Sequence, residues 1–276
     1  MPLSTRQAIA GAACFSLLTL MPSAALAVEP LDTFSFRLSG YVSKFDTEIR
    51  ADGETERGTP IDLERDLGLD NDNIIANLGL TWRPWENHEF GLSYYTQSSD
   101  KTRQTQRTFE FDGTVYEAQS TVRVDFDIDS YEAYYVWWAA NNETWALGPR
   151  VGLLWYRMKL GLSLDIDSSG NQVGGAISND VSADLPAPTI GGSWRWAFAD
   201  DWRMSADAGY FSMNVNDVDG DVYFGRIGVE WFPWDRSGFL LDYTTSKISV
   251  DADKSDFSGN VDFNDSGLRL GYVYRF

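Results

Sequence analysis

The chain has one histidine and one cysteine in 276 residues. After residue 27 no apolar run approaches the ~18 residues that a spanning helix requires. Each scarcity excludes something. Cys14 is the only cysteine and lies within the first 27 residues, so the rest of the chain has no disulfide and no thiolate chemistry. Basic residues are few: 22 Lys and Arg against 41 Asp and Glu give a net charge of -19. That balance argues against nucleic acid, and against binding anionic surfaces through bulk charge. Segments of helical period are also rare, and no Pro/Gly/Ser-rich linker divides the chain. One large domain follows.

The beginning of the chain reads as a secretory signal peptide. Arg6 supplies the positive start, residues 8–21 the apolar stretch, and residues 25–27 a small-x-small cleavage site. Residues 11–14 make a poor lipobox, because the apolar run continues past Cys14. Cleavage is expected after Ala27, leaving a single domain over residues 28–276.

Mean hydropathy is only -0.30, which would suit a soluble secreted protein. Closed β-barrels defeat that test, since half of every strand faces inward and can be polar. At the end of the chain Leu268, Leu270, Tyr272, Tyr274 and Phe276 share one face of an extended strand. Gly267, Arg269, Gly271, Val273 and Arg275 share the other, because side chains alternate with period two.

The same alternation marks nine more strands. The first covers about residues 33–50 and the second about residues 73–83. The third follows a turn at residues 84–87 with Phe90, Leu92 and Tyr94, and the chain beyond it folds back at Asp112 and Gly113, a strong hairpin signal. The fourth shows Tyr131, Ala133, Tyr135 and Trp137; the fifth shows Trp145, Leu147, Val151 and Leu153. The sixth starts near Pro188, the seventh at Trp202, the eighth after a turn at Asp219 and Gly220, and the ninth near Phe239. Ten is even, as a single-chain bacterial barrel requires; eight or twelve would satisfy the same rule.

Two regularities support closure. Gly79, Trp82, Pro84, Trp85, Phe90, Leu92, Tyr94 and Thr96 recur at one offset as Gly228, Trp231, Pro233, Trp234, Phe239, Leu241, Tyr243 and Thr245. That is a repeated strand–turn–strand unit without insertion. Tryptophans also collect at the four short turns: Trp82, Trp85, Trp137, Trp138, Trp145, Trp194, Trp196, Trp202, Trp231 and Trp234, with Trp155 apart. Indole prefers the membrane interface, where its ring is dry and its N–H wet.

Away from those turns the two faces exchange character. On the fifth strand Val151, Leu153 and Trp155 give way to Arg157, Lys159, Ser163, Asp165 and Asp167, while Leu154, Met158, Leu160, Leu162, Leu164 and Ile166 take the inner face. The ninth, fourth and first strands do the same. A bulge would also swap parity, but four strands swapping at comparable height point to one boundary. Within the bilayer the outside must be apolar, and beyond it the apolar face must turn inward. The expectation is an all-β, closed antiparallel barrel extended above the outer leaflet, with a greasy upper interior.

These features together resemble the small Gram-negative outer-membrane β-barrel proteins as a broad class. The resemblance implies an outer-membrane location, contact with membrane lipid and lipopolysaccharide, and insertion by the barrel-assembly machinery. It implies an insertion signal in Tyr272, Tyr274 and Phe276. A monomer, no nucleic-acid partner and no cofactor are expected.

Several residues are candidates for chemistry. Lys44, Arg157, Lys159 and Lys247 point outward just above the inversion, where they would meet lipopolysaccharide phosphates. Arg37, Glu132, Arg150, Arg195, Asp207, Arg226, Glu230, Asp242 and Arg269 fall on the inner parity at membrane depth. Charges of both signs in a narrow lumen are expected to pair, because an unpaired buried charge costs several kcal/mol. Such a network plugs a small barrel more readily than it lines a pore.

Acidic loops around Asp62, Asp66, Asp70 and Asp72, and around Asp217, Asp219 and Asp221, suggest divalent cations. The second lacks the terminal Glu of a calcium loop and reads better as a solvated turn. Ten-stranded protruding barrels also resemble the omptin surface proteases, which need an Asp–His pair at the outer rim. The only histidine, His88, lies beside the turn at residues 84–87, on the inner side of the membrane. The same absence removes the Ser–His arrangement of lipid A deacylase barrels.

The expectation is therefore a non-enzymatic envelope or surface protein. A narrow channel for small apolar solutes, similar to the outer membrane protein W family, is the alternative. An outer-rim hydrolase ranks below it.

Overall fold

The computed structural model describes residues 28–52, 57–68, 72–105, 107–111, 114–117, 121–164, 177–215, 218–253 and 258–276. The expected signal peptide, the turn at Asp112 and Gly113, and Asp70, Asp165, Ile166, Asp167 and Asp217 lie outside those residues. The alternating aromatic and aliphatic runs form ten long strands. They are β1 (Phe34–Ala51), β2 (Asp72–Trp85), β3 (His88–Gln104), β4 (Thr121–Trp137) and β5 (Trp145–Leu164), then β6 (Ile177–Ala199), β7 (Trp202–Val215), β8 (Val218–Trp234), β9 (Ser237–Asp253) and β10 (Ser258–Arg275). Every strand pairs antiparallel with its sequence neighbours, and β10 returns to β1 from Ser35↔Arg275 to Ala51↔Gly259. The ten-strand count and the closure both follow the sequence.

Shorter pieces decorate the two ends. Ile61–Asp62 pairs with β1, Ala140–Asn141 with β5, and Phe109–Phe111 makes a hairpin with Thr114–Tyr116. That hairpin brackets the predicted turn at residues 112 and 113.

An apolar belt faces outward around the wall. Leu80, Leu92, Leu147, Leu153, Ile227, Leu241 and Leu270 are all exposed, which suits hydrocarbon and not water. Trp82, Trp85, Trp137, Trp145, Trp196, Trp202, Trp231 and Trp234 are exposed at the short-turn end, with Trp194 half-buried beside Trp196. Trp138 departs from the expected ring. Period-two alternation lets only one of two adjacent tryptophans face lipid, and Trp138 is buried in the lumen. The far edge of the belt carries a tyrosine row that the sequence reading missed: Tyr131, Tyr210, Tyr223 and Tyr243 are exposed there.

The repeated unit is visible as geometry. Its two copies are the β2–β3 and β8–β9 hairpins, and each has a register shift at the same place, between Trp82 and Trp85 and between Trp231 and Trp234. Pro84 and Pro233 sit inside those irregularities, where a missing N–H interrupts no ladder. Two boundaries differ from expectation. β8 already includes Asp219 and Gly220, which pair with Asn214 and Met213, so they are strand residues and not a turn. β6 begins at Ile177, well above Pro188.

The reason for the second lies in the wall. The β6–β7 ladder runs from Ile190↔Tyr210 down to Ala199↔Trp202. Above Ile190, β6 pairs only with β5, and above Tyr210, β7 pairs only with β8. Pro186 and Pro188 therefore lie along an unpaired edge, the position in which a proline removes no bond. A second seam separates β2 from β3 above Asn77↔Tyr95. Through most of the belt, from the short turns up to Ile190 and Asn77, the ten strands form a hoop. Beyond it they part into a leaf of four (β3 to β6) and a leaf of six (β7 to β2 through β10 and β1).

An apolar core fills the space between the leaves. Phe126, Ile128, Tyr156, Met158 and Leu160 of one leaf meet Phe45, Phe263, Val261 and Ile248 of the other. Tyr156 packs edge-on to Phe263 with ring centroids 5.2 Å apart, and Phe45 stacks on Phe263 at 5.7 Å. Ile61, Leu63, Leu67, Phe109, Phe111 and Tyr116 close the top. The parity exchange is thus no bulge, since the β5 ladders to β4 and β6 run through it without a shift.

Candidate functional site: a charged lumen beneath an apolar cap

At belt depth the inner face carries three groups of paired charges. Near the short turns Arg203 Nη2 donates to Asp32 Oδ2 at 2.7 Å and Arg203 Nε to Glu230 Oε2 at 2.6 Å. Arg37 Nε reaches the other oxygen of Glu230 at 3.2 Å, and Arg37 Nη1 donates to Thr81 Oγ1 at 2.7 Å. Arg195 Nη1 donates to Asp207 Oδ1 at 2.9 Å, and Arg226 Nη1 lies 3.9 Å from Asp207 Oδ2. Glu132 accepts from Arg226 at 2.8 Å and from Arg150 at 2.5 Å. Arg269 Nε donates to Asp242 Oδ1 at 2.7 Å. All nine lumen residues expected from the sequence lie here.

Arg150 explains two glycines. Its guanidinium sits between the Tyr134 ring at 4.3 Å and the Phe224 ring at 4.5 Å, a cation between two π-faces. Tyr134 lies opposite Gly91 and Phe224 opposite Gly209 across their strand pairs. A side chain at either glycine would collide with the ring folded over it. The rings can lie flat against the wall, and so reach the arginine, because nothing projects beneath them.

The sequence reading missed Asp32, Glu89, Arg203 and Trp138. Glu89 is buried and accepts from the Trp138 indole N–H at 3.2 Å and the Tyr134 hydroxyl at 3.4 Å. It shares inner parity with Ser93 and Tyr95, and Arg203 shares it with Asp207, so both were there to be found. Asp32 was not, because it precedes the first strand. Residues 28–32 cross the mouth at the short-turn end: Val28 packs with Phe232, Leu240 and Val273, and Leu31 with Val136, Trp138 and Ala146. Arg83 Nε donates to the Asp32 carbonyl at 3.1 Å, and Arg203 Nη1 to the Glu29 carbonyl at 3.2 Å.

Little space remains. Two neighbouring lumen cavities of about 50 and 40 Å³ share Asn77, Ser93, Glu132, Arg226 and Arg269 in their walls. A water needs ~10–15 Å³ by that measure, so they hold a few waters at most. Above them the Tyr95 hydroxyl donates to Asp265 at 2.6 Å, Tyr41 also donates to Asp265, and the Tyr156 hydroxyl lies 3.0 Å from Ser246 Oγ. This polar layer separates the charged lumen from the apolar core.

The remaining candidates are scattered. Lys44, Arg157, Lys159 and Lys247 are exposed on the outer wall just past the belt, on two opposite sides of it. Tyr272 is exposed, and Phe276 packs edge-on to Phe34 at 5.4 Å and to Tyr274 at 4.8 Å. Asp62 and Asp66 are engaged by Arg65, and Asp66 also by Arg107 at 2.7 Å. Among the described residues no group of three or more His, Asp or Glu side chains is placed to hold a metal ion. His88 lies at the short-turn end, its Nδ1 2.7 Å from the Tyr135 hydroxyl.

No protein-family model matches the chain, and no curated protein matches it in sequence. Solved structures do. The outer membrane protease OmpT of Escherichia coli aligns with a TM-score of 0.59 at 12% identity, covering 90% of this chain and 97% of that one. Ail, the attachment invasion locus protein of Yersinia pestis, gives 0.32 at 14% identity over 89% of this chain and 100% of its own. The toluene transporter TodX of Pseudomonas putida gives 0.35 at 8% identity over 89% and 90%. The last two likenesses are too loose to argue from. Closed wall, apolar belt and the OmpT alignment together give this chain the fold of the small outer-membrane β-barrel proteins.

Proposed function

We propose that this chain is an integral, non-enzymatic protein of the Gram-negative outer membrane, with a role at the cell envelope or surface and a sealed lumen. In this reading it is exported through a signal peptide cleaved after Ala27, and it works as a monomer. The observation that carries it is the filling of the barrel. Charges at belt depth pair across the lumen, residues 28–32 floor it, and a packed apolar core roofs it. A solute crossing the barrel would have to break buried ion pairs, each of which leaves an uncompensated charge in a place of low dielectric.

The likeness to a protease offers this chain little chemistry. An Asp–His pair at the outer rim lacks its histidine, since His88 is the only one and sits at the opposite end. The apolar upper interior, which suggested a channel for small apolar solutes, is occupied by the chain's own side chains.

The test is electrical. Purified mature protein refolded into a planar bilayer is expected to give no steady single-channel current. Large, steady openings from pure protein would overturn the sealed-barrel reading.

A further inference from the structure

Residues 28–32 are held as a bound peptide is held. β1 begins at Phe34, so this strap adds nothing to the wall. Arginine side chains and one turn take up its backbone instead. Arg203 Nη1 donates to the Glu29 and Pro30 carbonyls at 3.2 and 3.4 Å. Arg83 donates to the Leu31 and Asp32 carbonyls at 3.4 and 3.1 Å. At the start of the strap the Val28 nitrogen donates to the Asp200 carbonyl of the β6–β7 turn at 2.7 Å.

Side chains complete the pattern. Val28 fills a pocket of Phe232, Leu240 and Val273, and Leu31 fills one of Val136, Trp138 and Ala146. Pro30 lies between them with its φ fixed, which suits an extended course. Asp32 ends the segment with both oxygens taken by Arg203, at 3.0 and 2.7 Å. Apolar anchors in pockets, with a carboxylate on a guanidinium fork, are the means by which receptors hold extended peptides.

The mouth is also complete without its strap. If residues 28–32 leave, Arg203 keeps Glu230 at 2.6 Å and Arg83 keeps the Glu86 carbonyl at 2.9 Å. Arg275 keeps the Asp235 carbonyl at 2.7 Å and the Phe232 ring. None of these guanidiniums is orphaned, and the Asp32 carboxylate passes into water. The wall stays shut, because its closing ladder starts at Ser35↔Arg275.

We propose that the short-turn mouth is a receptor site for an extended peptide, apolar at its first and fourth positions and acidic at its fifth. Residues 28–32 fill it in cis, and a peptide of the same pattern on another protein displaces them. That such a partner arrives from the periplasm rests on the membrane placement proposed above; the binding itself does not.

The experiment measures binding of a peptide of residues 28–33, labelled at its C-terminus, to the refolded mature chain in neutral detergent. The full-length chain carrying Val28→Asp with Leu31→Asp, whose strap cannot seat, is compared with the unaltered one. The variant is expected to bind at least about 10-fold more tightly, since its site has no tethered competitor. Replacing the peptide's aspartate with asparagine should weaken binding to the variant roughly 10- to 100-fold, the worth of hydrogen bonds to a charged group. In the unaltered chain, excess peptide should speed cleavage after Glu29 by a Glu-specific protease. Equal binding to both chains, equal binding of both peptides, or no change in that cleavage would each overturn the site. Failure of the membrane placement would look different: the chain would stay folded and soluble with no detergent present.

Discussion

Glu132 is the residue on which the lumen turns. One oxygen accepts from Arg150 and the other from Arg226, and its side chain is 6% exposed. Glu132→Gln leaves the buried Arg150 guanidinium without its anion and Arg226 with only Asp207 at 3.9 Å, so a loss of about 3–5 kcal/mol is expected in urea or heat unfolding. Pairing it with Arg150→Met should cost less than the sum of the two single changes, because the second removes a charge the first had orphaned. Removing Arg157 by contrast breaks a pair that is half exposed on both sides, worth at most about 1 kcal/mol.

At the outer cap, two carboxyls answer pH in opposite directions. Burial works to raise Asp66, but hydrogen bonds and attraction from Arg65 and Arg107 outweigh it and hold the carboxyl below the usual range. Its stabilisation is present above the ordinary carboxylate pKa and is lost as pH falls through the lowered one. Glu64 is pushed up by burial, so its share is present in acid and is lost as pH rises through the raised value. Proteolysis of residues 57–68 should therefore accelerate between pH 5 and pH 3 in the native chain. In Asp66→Asn that acceleration should vanish and leave only the opposite trend from Glu64. An unchanged acid response in the variant would rule this out.

Among the elements, β6 is the most informative. Its ladder to β5 runs without a break through Pro186 and Pro188, which have no N–H to give. Residues of that parity must aim their backbone groups at the seam, since alternate residues of a strand bond to opposite neighbours. Hydrogen exchange above Ile190 should alternate, with fast amides at Ser182 and Asp184 and slow ones at Val181, Ala183, Leu185, Ala187 and Thr189. Below Ile190, where both ladders are present, protection should be uniform. Uniform protection through residues 181–189 would mean the seam is closed.

That strand also shows what sequence could tell. Side-chain alternation reveals a strand and its faces, which is why ten strands, four short turns and nine lumen charges were legible. It does not reveal where a ladder stops, so Pro188, on an open edge, was the first residue assigned to β6, which in fact begins at Ile177. The lumen set was incomplete for a similar reason. Arg203 meets Asp32 and Glu89 meets Trp138 across distances that only barrel closure brings together.

The whole molecule is two architectures on one set of strands. Through most of the apolar belt the ladder is closed, because an unpaired N–H there has no water to turn to, and the seams begin at its far edge beside Ile74 and Pro188. Where the outside is water, two seams open, and hydrophobic burial holds the leaves together instead. The lower part is thus secured by a force that strengthens as water is excluded. The upper part depends on a force that exists only because water is present, and that fades with cold and with urea. One chain therefore has two separate solvent sensitivities: chaotropes should slacken its crown while its foot keeps its shape.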